Sequence, residues 1–70
     1  MDKMDKIEAL AKFLGVTPEE IQEWNDESYT LASNDRKEYY VLDEEENFTD
    51  SPWAWGHFEA KIEDYYIYSI

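Results

Sequence analysis

The chain has no cysteine, which excludes a disulfide framework and a thiolate metal site. Glycine and proline occur only twice each, and neither Gly15 nor Gly56 stands in a phosphate-binding loop pattern. Basic side chains are scarce: six Lys and Arg face eighteen Asp and Glu, for a formal charge of −12 at pH 7. Such a surface repels nucleic acid and acidic lipid and favours a basic partner. Long hydrophobic runs are missing, and Met1-Asp2-Lys3-Met4-Asp5-Lys6 lacks the apolar segment of a secretion signal. A soluble protein of the cytoplasm is therefore expected. The single histidine, His57, has no companion at metal-ligand spacing and gives little basis for metal or general-base chemistry. No EF-hand pattern is present, and so small a domain seldom builds the concave site of a paired-carboxylate hydrolase. The expectation is a binding protein without cofactor or metal, not an enzyme.

What is present is aromatic: three Trp, six Tyr and three Phe in 70 residues. High net charge is also a signature of disorder, but side chains that each bury a large area argue for a folded chain. Residues 1–70 are read as one small acidic domain, near the lower limit for an unaided core.

The charge is unevenly placed. In residues 1–18, Asp2, Asp5 and Glu8 balance Lys3, Lys6 and Lys12, so the whole excess falls on residues 19–70. Ile7, Leu10, Ala11 and Leu14 recur at helical spacing, with Gly15 as the stop of a first amphipathic helix. Thr17-Pro18-Glu19-Glu20 has the form of a capping box with proline at the first helical position, predicting a second helix from Pro18 to Trp24 with Ile21 and Trp24 inward. Tyr29–Ala32 and Glu38–Leu42 read as strands of a hairpin around Ser33-Asn34-Asp35. Asp43 to Asp50 reads as an exposed acidic loop or a frayed helical turn, with Phe48 as its one large apolar anchor. Residues 53–64 fit a third helix capped by Ser51-Pro52, although Phe58, Ala60 and Ile62 also alternate as a strand would; the helix-forming Glu59, Ala60, Lys61 and Glu63 favour helix. Tyr65–Ile70 is β-prone and is expected to pair with the hairpin. The expected fold is α+β: two N-terminal helices packed on a small antiparallel sheet of hairpin plus C-terminal strand, with a third short helix.

Leu10-Ala11-Lys12-Phe13-Leu14-Gly15-Val16-Thr17-Pro18-Glu19-Glu20-Ile21 resembles the first two helices of a helix-turn-helix unit. A recognition helix approaches phosphates with basic or neutral polar side chains. Here its exposed positions would be Glu19, Glu20, Glu23 and Asp26, which argues against direct nucleic-acid binding.

The acidic surface carries the sharper expectation. Carboxylates two apart on a strand lie roughly 7 Å from one another, and those three or four apart on a helix roughly 5–6 Å. Both spacings approach that of successive phosphates along one DNA strand. Twelve excess charges match roughly 20 Å of duplex at about one charge per 1.7 Å. Small size, strong acidity, aromatic richness and lack of cysteine resemble, by type, the phage-encoded DNA mimics: anti-CRISPR proteins, antirestriction proteins and inhibitors of uracil-DNA glycosylase. Locally, Tyr39-Tyr40-Val41-Leu42-Asp43-Glu44-Glu45 followed by Asp50-Ser51-Pro52-Trp53-Ala54-Trp55 is similar to a Y-x-V-L-T-D-E-E … D-S-L-W-A-F arrangement in short phage proteins. This chain lacks the Thr after Leu42, has Pro52 in place of Leu, and separates the two halves by fewer residues.

These resemblances imply an inhibitor that occupies the nucleic-acid site of a basic protein, a CRISPR effector or another defence nuclease. The expected partner-binding residues are Glu19, Glu20, Glu23, Asp26 and Glu27 in one cluster, Asp43, Glu44, Glu45 and Glu46 in another, and Trp55 as an aromatic anchor; Tyr29 and Tyr39 are further anchor candidates. Whether the clusters share a face, and whether the chain is a monomer, is not legible in the sequence. Two alternatives stay open: an interaction module that binds through an aromatic patch and uses its acidity only for solubility, and a carboxylate-based metal binder.

Overall fold

Asp5 and Glu8 set the start of α1 (Lys6–Leu14): the Glu8 amide donates to Asp5 Oδ1 at 2.7 Å and the Asp5 amide to Glu8 Oε1 at 3.1 Å. This reciprocal capping satisfies amides that have no partner inside the helix. Gly15 ends α1 in the left-handed conformation, φ 73°, and returns its amide to the Ala11 carbonyl. The computed structural model describes residues 4–25, 27–50 and 56–70. Beyond α1 these contain β1 (Ile21–Glu23), β2 (Ser28–Leu31), β3 (Asn34–Leu42), α2 (Glu44–Asp50), β4 (His57–Ile62) and β5 (Tyr65–Ser69). The strands form one antiparallel sheet in the order β1-β2-β3-β5-β4.

Side chains alternate across the sheet, and the two faces are used differently. Ile21, Tyr29, Tyr39, Val41, Tyr65 and Ile67 face α1, whose Ala9, Leu10 and Ala11 complete the core. Phe13 of α1 meets the Tyr39 ring edge-on, with centroids 6.5 Å apart. On the opposite face α2 lies against β3 and β5, where Leu42 and Tyr68 are buried and the Tyr68 hydroxyl donates to Asn47 Oδ1 at 2.5 Å.

The hairpin forms as β2 and β3, and the C-terminal strand pairs with β3 as expected. The first predicted helix forms as α1, but the second does not hold. Thr17 and Glu20 do bond, the Thr17 amide donating to Glu20 Oε2 at 2.9 Å, but Pro18–Glu20 makes a single 3₁₀ turn. The Ala32 amide then takes the Glu20 carbonyl at 2.8 Å, and Ile21–Glu23 pairs with Tyr29–Leu31 as an edge strand. One turn satisfies the local capping signal, and pairing with β2 then gives the β-branched Ile21 a buried place in the sheet. Trp24, expected inward on that helix, is 55 % exposed.

The third helix is overturned too: residues 57–62 are β4, paired with β5 across the two-residue turn Glu63-Asp64, where Glu63 takes φ 54°. The helix preference of Glu59, Ala60 and Lys61 amounts to a few tenths of a kcal/mol each. It yields to the hydrogen-bond ladder that β5 offers on its free side. Ser51-Pro52 and Trp53 lie outside the described residues.

Asp43 to Asp50, read as a loop or frayed turn, contains a helix instead. Asp43 Oδ1 accepts from the Glu46 amide at 2.8 Å, and Glu46 Oε1 accepts from the Asp43 amide at 3.0 Å. Acids in its first turn also suit the helix dipole.

Candidate acidic partner interface

The register decides which acids meet. β1 and β3 end, and β2 and β5 begin, at one end of the sheet, because Ser28 pairs with Tyr40, Leu42 with Tyr66 and Ile62 with Tyr65. The turn between β1 and β2, the start of α2 and the turn between β4 and β5 therefore leave the sheet together. They bring Glu23, Glu27, Asp43, Glu44, Glu45 and Glu46 to that end, and add Glu63 and Asp64. The first turn is built by Asn25, whose Oδ1 accepts the amides of Glu27 and Ser28, each at 3.0 Å. Asn-centred turns of this kind are local and sequence-specific.

Glu19 and Glu20 do not join this group. They precede β1 at its other end, about 10 Å from Glu23 at a strand rise of about 3.3 Å per residue. The exposed Asp35, Arg36 and Lys37 of the β3 start share that far end. The first expected cluster is thus split, with Glu23 and Glu27 on one side and Glu19 and Glu20 on the other. Asp26 and Trp55 lie outside the described residues.

Cations only partly offset the acidic end. Lys6 Nζ lies 2.6 Å from Glu46 Oε1 in a partly buried pair, beside a shallow hollow lined by Asp5, Lys6, Ile7, Glu23, Tyr29 and Tyr65. Lys12 Nζ lies 3.8 Å from Glu63 Oε1, but both side chains are more than half exposed and such a pair contributes little. Glu23, Glu44, Glu45 and Asp64 are exposed and form no ion pair among the described residues. Sequence reading missed Glu63 and Asp64, because Glu-Asp is not a usual two-residue hairpin turn and the strand before it reads as helix.

Burial pushes the Tyr40 hydroxyl above its ordinary value, helped by the charge of Glu38, a hydrogen bond with Glu38 and the charge of Glu27. Burial, then Tyr66, does the same for Tyr68. A phenol held neutral by the fold contributes stability that is intact below about pH 10 and is lost as pH rises through the folded-state value. Glu38→Gln removes the second and third causes for Tyr40. It is expected to move that ionisation to lower pH in a tyrosinate absorbance titration, and an unchanged curve contradicts the assignment.

No family model, curated protein or solved structure matches the chain. Among the described residues no three acidic or histidine side chains converge as a metal site, and no helix is long and apolar enough to cross a membrane. By its charge and geometry the acidic end can attract and orient a cationic surface.

Proposed function

We propose that the chain is an inhibitor that binds a basic nucleic-acid-binding protein and blocks its nucleic-acid site with carboxylates in place of phosphates. The observation that supports this reading is the gathering of Glu23, Glu27, Asp43–Glu46, Glu63 and Asp64 at one end of the sheet, while at the other end Arg36 and Lys37 largely offset Glu19, Glu20 and Asp35. A fold that used acidity for solubility alone has no need of such polarity. The narrower form, supported by the likeness in type to phage-encoded DNA mimics, is inhibition of a CRISPR effector or another defence nuclease. In either form the partner's Lys and Arg meet the acidic end, and bound nucleic acid is excluded by occupancy and by like charge.

The test is capture of a basic protein on the immobilised chain and its release by duplex DNA. The variant Glu23→Gln/Glu44→Gln/Glu45→Gln/Asp64→Asn is expected to weaken capture about tenfold or more. Glu19→Gln, at the opposite end, is expected to change little per charge removed. Equal effects per charge at both ends, or a partner that holds DNA and this chain at once, would sink the proposal. A second reading, contact through exposed aromatics, is favoured by Phe58 and Trp24, each 55 % exposed; salt dependence separates the two.

A further inference from the structure

Among the described residues, α2 lies on the face of the sheet opposite α1, over β3 and β5. Toward β1 and β2 that face opens into a cleft of about 270 Å³ lined by Trp24, Asn25, Ser28, Thr30, Asp35, Arg36 and Glu38. Ser28 and Thr30 are buried at its base. Trp24 stands outside the core, yet its ring is pinned: the indole Nε1–H donates to Thr30 Oγ1 at 3.0 Å. Glu38 is pinned as well. Its Oε1 accepts from Ser28 Oγ at 2.5 Å. A carboxylate has about four acceptor sites, so Glu38 keeps capacity for a further donor. A hydrogen-bonded indole and a hydrogen-bonded carboxylate, neither of them part of the core cluster, thus border one hollow.

We propose that this cleft is a subsite for one arginine side chain of the partner. The planar guanidinium stacks on Trp24 and donates to Glu38, and Asp35 adds a second negative charge. Lysine is the poorer ligand, because a compact ammonium cannot stack and bond in two directions at once. The inference rests on the basic-protein reading above and names the side chain such a partner presents here. Arg36 lines the same cleft without forming an ion pair among the described residues. Its charge opposes the incoming cation, and removing it is expected to tighten binding.

The experiment is titration of the full chain with N-acetyl-arginine methylamide, followed at the Trp24 indole N–H by heteronuclear NMR. N-acetyl-lysine methylamide and the neutral citrulline analogue serve as controls. Saturable movement with arginine is expected, weaker binding with lysine and none with citrulline. Glu38→Gln should weaken the arginine site about tenfold to a hundredfold, Asp35→Asn should weaken it less, and Arg36→Gln should strengthen it. Asp35 and Arg36 are exposed, so those two variants report even where Glu38→Gln fails to fold. No saturable shift, an equal shift with citrulline, or tighter binding to Asp35→Asn overturns the proposal. This outcome is separable from the first: arginine binding that persists while the acidic-end variants leave capture unchanged rejects the inhibitor reading alone. Loss of arginine binding with capture still dependent on the acidic end rejects the cleft alone.

Discussion

Leu10→Ala is expected to leave much of the chain unfolded at 25 °C. Leu10 is fully buried where α1 meets the sheet, and truncating a buried leucine costs about 2–5 kcal/mol in lost transfer energy and residual cavity. A core in a chain below about 70–80 residues rarely supplies more than about 3–5 kcal/mol without staples. No disulfide supplements it here. The mutation therefore removes an amount comparable to the whole. Urea titration followed by near-ultraviolet circular dichroism measures it: loss of the cooperative transition, or a midpoint shifted far toward zero, is expected. A midpoint lowered by less than a quarter would show that α1 is not the lid of the core. Added salt should partly restore folding by screening the repulsion among excess carboxylates.

Where the decisive interaction was local, the fold could be read from the residues. Gly15 reads as a helix stop, the aromatic and β-branched run Tyr39-Tyr40-Val41-Leu42 as a strand, and the β-prone Tyr65–Ile70 as a strand in need of a partner. Where two local signals competed, the outcome depended on pairing that a single segment does not display. Thr17-Pro18-Glu19-Glu20 carries a sound helix start, yet the Glu20 carbonyl is taken by Ala32, twelve positions on. Residues 57–62 carry both helix formers and a period-two pattern, and β5 chose between them. Asp43-Glu44-Glu45-Glu46 was legible and under-read: an Asp followed three positions later by Glu is the same cap that starts α1 at Asp5 and Glu8. The candidate site follows the same division. Its charge was evident in the sequence, but the separation of Glu19 and Glu20 from Glu23 and Glu27 follows from β1 being a strand. The arrival of Glu63 and Asp64 at the same end of the sheet depends on strand order.

Raising salt from about 50 to about 200 mM is expected to weaken the complex with a basic partner about tenfold to a hundredfold, less than it weakens duplex DNA on the same partner. Duplex DNA carries about one charge per 1.7 Å and a condensed layer of cations, and a protein making six to ten phosphate contacts loses about 10³–10⁵ in affinity over that range. The acidic end of this chain is sparser. Neighbouring carboxylates on a strand or helix lie roughly 5–7 Å apart, and Lys6 and Lys12 already answer two of them. Fewer cations condense on such a surface, so fewer are released on binding, and the salt dependence comes mainly from ordinary screening and from anions leaving the partner. A mimic with a shallower slope gains on DNA as ionic strength rises, which favours inhibition near physiological salt rather than below it. Competition binding of the chain and a short duplex to one partner, across that salt range, measures both slopes together. A flat response would place the contact on Trp24, Phe58 and their neighbours instead. A slope as steep as that of DNA would mean the partner is held by many more charges than the acidic end supplies.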